Sequence, residues 1–224
     1  MALTLVIGNK NYSSWSFRPW IAMKVAGIDF TDRVISLNDP EFKPTLLKLS
    51  PAGKVPVLVD GDTHVWESLA ILEYVADKFP SAGLWPADVG ACAHARAISC
   101  EMHAGFTPLR RHCPMNLWRP VKRRDMSDEV AANVSRIDGM WSECRERYAA
   151  GGPFLFGRFS AADAMYAPVV SRFHTYDIAV AAASRRYMEA IMALPAWHEW
   201  REAALKEPWV LPEDEPDWPL VLRA

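Results

Sequence analysis

The chain has 224 residues, 50% of them hydrophobic, and its 25 Lys and Arg nearly balance its 27 Asp and Glu, for a net charge of -2. This composition fits a globular protein of one or two domains and excludes a positive surface for nucleic acid or an anionic membrane. No apolar run reaches the ~20 residues of a spanning helix, and MALTLVIGNKNYSSW predicts a first strand rather than a signal peptide. We therefore expect a cytoplasmic protein with no nucleic-acid or membrane partner.

The chain begins with a predicted strand, loop and helix. The apolar run 3–7 ends at a glycine and predicts a buried strand. A helix follows from about residue 16 to residue 26, because Pro19 is best tolerated in the first helical turn. This start places Ser13 and Ser14 at the helix N-terminus.

The next elements complete an α/β unit, and helices follow it. We expect a strand over 30–36, a short helix or irregular segment over 40–49, a hairpin over 57–66 with its turn at Asp60-Gly61, and a helix over 68–79. Later segments predict helices near 89–118, 128–149, 161–176, 184–193 and 196–206, the first bent or broken by Gly105, Pro108 and Pro114. The domains are then 1–80 and 89–224, joined by a linker at 81–88, with 207–224 as an extended surface tail.

The cysteines give no sign of a disulfide framework or a metal site. Cys92, Cys100, Cys113 and Cys144 form no C-x-x-C pair, so we expect free thiols. Cys100 and His103 stand three apart on a predicted helix, but no second pair at ligand spacing accompanies them. We therefore expect packing roles for them and no bound metal.

The first helix begins with a run of hydroxyl side chains. A helix N-terminus carries unpaired N–H groups and a partial positive charge, so it stabilises an anion. A hydroxyl from Ser13 or Ser14 would donate to the same anion and lower the pKa of a bound thiol. Taken alone, these residues favour a plain helix cap by Ser13, Ser14 or Ser16.

Two further turns have the right residues to bind a peptide. Pro56 precedes a strand; a cis bond before it would turn the Val55 backbone outward to pair with an extended peptide, although an ordinary trans bond is the commoner case. At the start of the 68–79 helix, Glu67 is suited to an ammonium group, and the Ser68 end of the helix is suited to a carboxylate or to simple capping. Ser160 and Asp163 have the spacing of a capping box, which we assign to structure.

These features, in this order, resemble the glutathione transferase superfamily over nearly the whole chain. The resemblance implies a thioredoxin-like α/β N-terminal domain followed by an all-α helical-bundle domain. It implies that glutathione, as co-substrate, binds Lys54, Val55 and Pro56 at a cis-proline turn. It also implies that Glu67 and Ser68 bind the γ-glutamyl end.

The stretch 13–22 is most similar to the serine-type zeta class, whose pattern is S-S-C-x-W-R-V-R-I-A. The match is gapless and assigns the activating hydroxyl to Ser13, with Ser14 as the neighbour that could substitute for it. Trp15 replaces the class cysteine, and Pro19-Trp20 replaces Val-Arg. Together with the stretch 101–116, this resembles a bacterial group of transferase-like proteins.

The resemblance predicts a glutathione transferase of detoxification type that acts on a small electrophile, as a homodimer. By this resemblance His103, Phe106 and Arg110 would line the second-substrate pocket, with packing in the core as the alternative. A glutathione-dependent isomerase or dehalogenase, or a non-catalytic glutathione-fold binding protein, remain as alternatives.

Tyr12 is the rival to Ser13, since some classes use tyrosine. A mixed-disulfide mechanism is not expected, because every cysteine follows residue 90.

Overall fold

The computed structural model describes residues 3–222 and shows an α/β part followed by a helical part. The strands are β1 (Leu3–Ile7), β2 (Phe30–Val34), β3 (Val57–Asp60) and β4 (Thr63–Trp66). The helices are α1 (Ser14–Val25), α2 (Phe42–Leu47), α3 (Ser68–Lys78), α4 (Val89–Ala104), α5 (Thr107–His112), α6 (Asp128–Tyr148), α7 (Ala161–Thr175), α8 (Ala182–Met192) and α9 (Pro195–Leu205). Within this range, no helix is both long enough and apolar enough to cross a membrane.

The four strands form one mixed sheet in the order β2-β1-β3-β4. β1 runs parallel to β2 and antiparallel to β3, and β3 and β4 form the predicted hairpin. Asp60 pairs with Thr63, so the turn residues are Gly61 and Asp62, and Gly61 has the positive φ that a tight turn needs. This is the thioredoxin-like arrangement that the resemblance implied.

The sheet is covered on both faces because alternate side chains of β1 point in opposite directions. Leu3, Leu5 and Ile7 belong to the main core, which continues into the helical part. Val6 faces the other way and packs with Leu46 of α2 in a smaller cluster. Helix α1 is packed between the sheet and α7, so the α/β part and the helical part share one main core.

Helix α1 begins two residues earlier than its proline predicted. The expected start was near Ser16, but the helix begins at Ser14, so Pro19 lies in the second turn. There Pro19 cannot donate the helical hydrogen bond to the carbonyl four residues earlier. Burial of large side chains on the same helix offsets the lost hydrogen bond: Phe17 and Trp20 are only 1% and 0% exposed.

The segment predicted as a helix over 89–118 breaks at Gly105 and ends at His112, two residues before Pro114, as the glycine and the proline predicted. Hydrogen bonds to the loop before α1 hold the non-helical residues that follow. The Asn11 side-chain oxygen, in the loop before α1, accepts from the backbone N–H groups of Leu117 and Trp118. The segment therefore bonds to the first domain instead of continuing the helix.

The tail that follows α9 is not the extended surface segment that its prolines predicted. Glu207 is buried and accepts hydrogen bonds from the N–H groups of Lys10 and Asn11, at 2.7 and 3.1 Å. Glu215 is also buried and accepts one from the Tyr12 hydroxyl at 2.6 Å. These two carboxylates accept hydrogen bonds from the loop before α1, and the bonds hold the tail against that loop. The last two residues of the tail lie outside the described range.

Helix α7 begins with the predicted capping arrangement. One oxygen of the fully buried Asp163 accepts from both the N–H and the hydroxyl of Ser160, each at 2.8 Å. Its other oxygen accepts from the Leu155 N–H at 3.0 Å. Burial raises the pKa of the Asp163 carboxyl to about 6. Three donors therefore depend on this one side chain.

We predict that Asp163→Ala lowers the free energy of unfolding by about 3 kcal/mol, because it leaves three buried donors without an acceptor. Chemical denaturation of both proteins measures this difference. Ser127→Ala is the matched control, since Ser127 is exposed and accepts only the Val130 N–H at the start of α6. Its cost should not exceed about 1 kcal/mol. Equal losses in the two variants would contradict the structural role of Asp163.

Candidate active site

Two adjoining cavities lie between the sheet domain and the helical domain. The first, of about 270 Å³, is lined by Trp15, Ala52, Lys54, Val55, Pro56, Trp66, Glu67 and His103. The second, of about 350 Å³, is lined by Tyr12, Ser13, Ser14, Trp15, Leu37, Phe42, Lys54, Val55, Arg110, Pro114, Met115, Arg172 and Asp214. Because both linings include Trp15, Lys54 and Val55, a ligand in the first cavity can extend into the second.

The first cavity contains most of the predicted glutathione-binding residues. Lys54, Val55 and Pro56 form one wall, and the Val55–Pro56 bond is cis. Glu67 faces them from the junction of β4 and α3, with a side chain that is 51% exposed and a left-handed backbone at φ 68°. A half-exposed carboxylate in this position is suited to a ligand ammonium group.

His103 also lines the first cavity, and it contacts Glu67 rather than the second-substrate pocket. Its Nε2 lies 3.5 Å from a Glu67 oxygen. Burial lowers the pKa of His103, and the positive charge of Arg18 lowers it further. Because a lowered pKa leaves His103 mainly neutral at pH 7, this contact is not an ion pair there and does not block the Glu67 carboxylate.

Ser68 begins α3 as expected, but it is fully buried and lines neither of these cavities. Its hydroxyl accepts a hydrogen bond from Nη1 of the buried Arg18 at 3.3 Å. The structure thus brings Ser68 next to the site and uses its side chain to hold Arg18. Direct contact between Ser68 and glutathione stays a prediction.

The two candidate catalytic hydroxyls differ in their hydrogen bonds. The Ser13 hydroxyl caps α1: it donates to Ser16 Oγ at 2.7 Å and accepts from the Ser16 N–H at 3.4 Å. The Ser14 hydroxyl accepts from Nη2 of Arg172 at 3.3 Å and, within residues 3–222, has no acceptor for its own proton. Both residues line the second cavity, but only Ser14 has a proton left to donate to a ligand.

Tyr12 lines the same cavity, with its hydroxyl committed elsewhere. The hydroxyl donates to Glu215 at 2.6 Å. Burial, and then this hydrogen bond, raise the pKa of Tyr12 above its usual range. The phenol is therefore protonated at neutral pH and attached to the tail.

Three buried or half-buried arginines lie near the serines: Arg18 and Arg110 contact Trp15, and Arg172 contacts Ser14. The guanidinium carbons of Arg18 and Arg110 lie 4.3 and 4.8 Å from the centre of the Trp15 ring, which are cation–π distances. Burial, followed by the charge of Arg110, lowers the pKa of both Arg18 and Arg172. Among the described residues, none of the three forms an ion pair with a carboxylate. This cluster makes the surroundings of Ser14 positive.

The predicted second-substrate residues are only partly brought together. Arg110 lines the second cavity, His103 lines the first, and the buried Phe106 lines neither of them. Sequence reasoning missed Arg172 and Asp214, which both line the second cavity. Arg172 was detectable as a lone charge in the last turns of an apolar helix, whereas nothing local marked Asp214.

The charges of the second cavity favour an anion. Arg110, Arg172 and Lys54 face it, against one carboxyl from Asp214. Burial raises the pKa of that carboxyl to about 6. In residues 3–222, no group of three or more His, Cys, Asp or Glu has the arrangement of a metal site. A hydroxyl donor, a helix N-terminus and buried guanidiniums together can stabilise a thiolate.

Comparison with known proteins places the chain in one family. Residues 12–78 match the family model for the glutathione S-transferase N-terminal domain, and residues 127–203 match the model for its C-terminal domain. The chain is 28% identical to a probable maleylacetoacetate isomerase of Caenorhabditis elegans, over 83% of this chain and 87% of the relative. It is 31% identical to a zeta-class glutathione S-transferase of Euphorbia esula, over 69% of this chain and 66% of the relative.

Solved structures show the same fold. A glutathione transferase homologue from Burkholderia, with bound glutathione, superposes with a TM-score of 0.66 at 22% identity, over 91% of this chain and 98% of the other. Ure2p in complex with glutathione superposes with a TM-score of 0.69 at 19% identity, over 89% of this chain and 94% of the other. On the two domain matches and these relatives, the chain belongs to the glutathione S-transferase family.

Proposed function

We propose that this chain is a glutathione-dependent transferase that binds glutathione in the first cavity and activates its thiol with the Ser14 hydroxyl. The observation that carries this proposal is the difference between the two serines. Ser13 donates its proton within the helix cap, whereas Ser14 accepts from Arg172 and keeps its proton for a ligand. The zeta-like pattern assigned the role to Ser13, and the hydrogen bonds favour its neighbour.

Glutathione would lie along the wall formed by Lys54, Val55 and Pro56. The amide N–H and C=O of Val55 are suited to pair with the cysteine backbone of the peptide, as in strand addition. Glu67 would bind the γ-glutamyl ammonium, since its carboxylate lines the cavity and is half exposed. The thiol then lies where the two cavities meet, beside the N-terminus of α1.

The chemical step follows from this placement. Glutathione loses its thiol proton to solvent, and the resulting thiolate is stabilised by the Ser14 hydroxyl and by the positive surroundings. The sulfur attacks an electrophilic carbon held in the second cavity; a carbon–sulfur bond forms, and the leaving group departs with its electron pair. Because both reactants are bound side by side, proximity supplies much of the rate. No covalent bond to the protein is needed.

An isomerase is the second candidate, favoured by the similarity to a protein named as a probable maleylacetoacetate isomerase. There the thiolate would add to a carbon–carbon double bond and leave again after rotation, so that no group is lost. Profiling both kinds of electrophile separates the two activities. A homodimer and a cytoplasmic location accompany the proposal as family expectations.

We predict that Ser14→Ala raises the pKa of protein-bound glutathione by about one unit, equivalent to about 1.4 kcal/mol, because the thiolate loses its hydroxyl donor. Ultraviolet difference spectra of the thiolate at neutral pH measure this loss. Ser13→Ala is the matched control: it should keep the thiolate band and instead lower the free energy of unfolding by about 1 kcal/mol, the cost of a helix cap.

Each other result has a definite meaning. Loss of the band in Ser13→Ala, with retention in Ser14→Ala, would return the role to Ser13. A wild-type protein that neither binds glutathione nor shows a thiolate band would contradict the enzyme proposal and favour a non-catalytic binding protein.

We also predict that Tyr12→Phe leaves the bound thiolate unchanged, because the Tyr12 proton is committed to Glu215. The variant should lose about 1 kcal/mol of unfolding free energy through that hydrogen bond. Thiolate absorbance and thermal unfolding of the same sample test both statements. A lost thiolate band with unchanged stability would make Tyr12 the activating residue.

A further inference from the structure

Arg172 lies near the end of α7 in the helical domain and reaches across to the start of α1. Only 5% of the residue is exposed. Its guanidinium makes three contacts: Nε donates to the carbonyl of Cys113 at 2.8 Å, Nη1 to the carbonyl of Pro168 at 3.4 Å, and Nη2 to Ser14 Oγ at 3.3 Å. Two backbone carbonyls therefore fix the position of the group that contacts Ser14.

This contact decides how the Ser14 hydroxyl can act. A serine hydroxyl has one proton and two acceptor positions, whereas a guanidinium can only donate. When Arg172 occupies an acceptor position of Ser14, the serine proton is directed away from Arg172. Ser14 and Arg172 both line the second cavity, so the proton remains available where the cavities meet.

The charge of Arg172 adds to this effect. Burial, and then the charge of Arg110, lower the pKa of Arg172 to about 10, so the group is a cation at neutral pH. Asp214 attracts it electrostatically but makes no ion pair with it. A hydroxyl that accepts from a cation is a better donor to an anion, since hydrogen bonds in a chain polarise one another.

We propose that Arg172 is a positioning residue that orients the Ser14 hydroxyl toward the sulfur of glutathione, so that the helical domain takes part in activating the thiol. This inference rests on the proposed function and adds to it a residue outside the glutathione-binding domain. The contact joins α7 to α1 across the domain boundary.

The test is a pH titration of the thiolate absorbance of glutathione bound to Arg172→Gln, with Arg110→Gln as the matched control. Both variants remove one positive charge from the same cluster, but only Arg172 touches Ser14. Arg172→Gln should raise the thiol pKa by about one unit, a tenfold loss of thiolate below that pKa. Arg110→Gln should move it by less than half as much. In pH–rate profiles of kcat/KM, Arg172→Gln should shift the acid limb by the same amount.

Two further variants distinguish this positioning role from a purely structural one. In a Ser14→Ala background, Arg172→Gln should shift the thiol pKa no more than Arg110→Gln does, because the hydroxyl that Arg172 orients is already missing and only its charge is lost. Arg172→Lys should restore part of the effect, since it returns a cationic donor. Should Arg172→Gln fail to fold by circular dichroism, Arg172→Met fills a similar buried volume without the charge and takes its place.

Three results would overturn the inference. One is an unchanged thiol pKa in a folded Arg172 variant while Ser14→Ala still shifts it, a pattern that leaves the proposed function intact. A second is an equal shift of the thiol pKa in Arg110→Gln, which would assign the effect to the summed positive charge of the cluster. The third is the absence of a bound thiolate in the wild type, which would remove the proposed function and this inference together.

Discussion

The hydrogen bond between the hydroxyls of Ser13 and Ser16 determines which side chain remains free at the active site. Ser16 Oγ also accepts from the Gly8 N–H at 3.1 Å, so the same pair of hydroxyls connects the end of β1 to the first turn of α1. The cap thus fixes the angle at which the helix leaves the sheet. Its consequence is chemical as well as structural, because Ser13 is committed to the helix and Ser14 is left facing the cavity.

The buried guanidiniums are the feature that most needs a functional explanation. Arginine is almost never fully buried without a partner, yet Arg18 is fully buried, and its Nε and Nη2 have no hydrogen-bond partner among the described residues. Contact with the Trp15 ring offsets part of this cost. A thiolate and an anionic ligand would offset more of it. In the proposed mechanism, the arginine cluster supplies positive charge near the thiolate before the reaction begins.

The fold was largely predictable, because its elements carry local signals. The hairpin, with its turn one residue later than predicted, and the capping box at Ser160 follow from turn and cap chemistry that a few residues determine. The wrong expectations concerned residues that bond far along the chain. Pro114 predicted the break in the helix, but the path of the chain after it depends on Asn11, and the buried tail depends on Glu207. Neither of these two contacts has a signal in the neighbouring sequence.

The location of the site could be predicted from the sequence, but the roles of its residues could not. Sequence order placed Ser13 and Ser14 together at a helix start, but only side-chain rotamers show which hydroxyl is occupied. Arg172 enters through packing of α7 on α1, more than 150 residues away along the chain. Glu67 is in the expected cavity because a strand–helix junction fixes it there, whereas the tail that carries Asp214 folds back from the far end of the chain.

A crystal structure of the chain with bound glutathione tests the central claim most directly, because the distances from the sulfur to the two serine oxygens distinguish their roles. We expect the sulfur to lie within hydrogen-bonding distance of Ser14 Oγ, with Arg172 still donating to that oxygen and the Ser13–Ser16 bond intact. A sulfur bonded to Ser13 Oγ with the cap broken, or a peptide bound outside the first cavity, would contradict that claim.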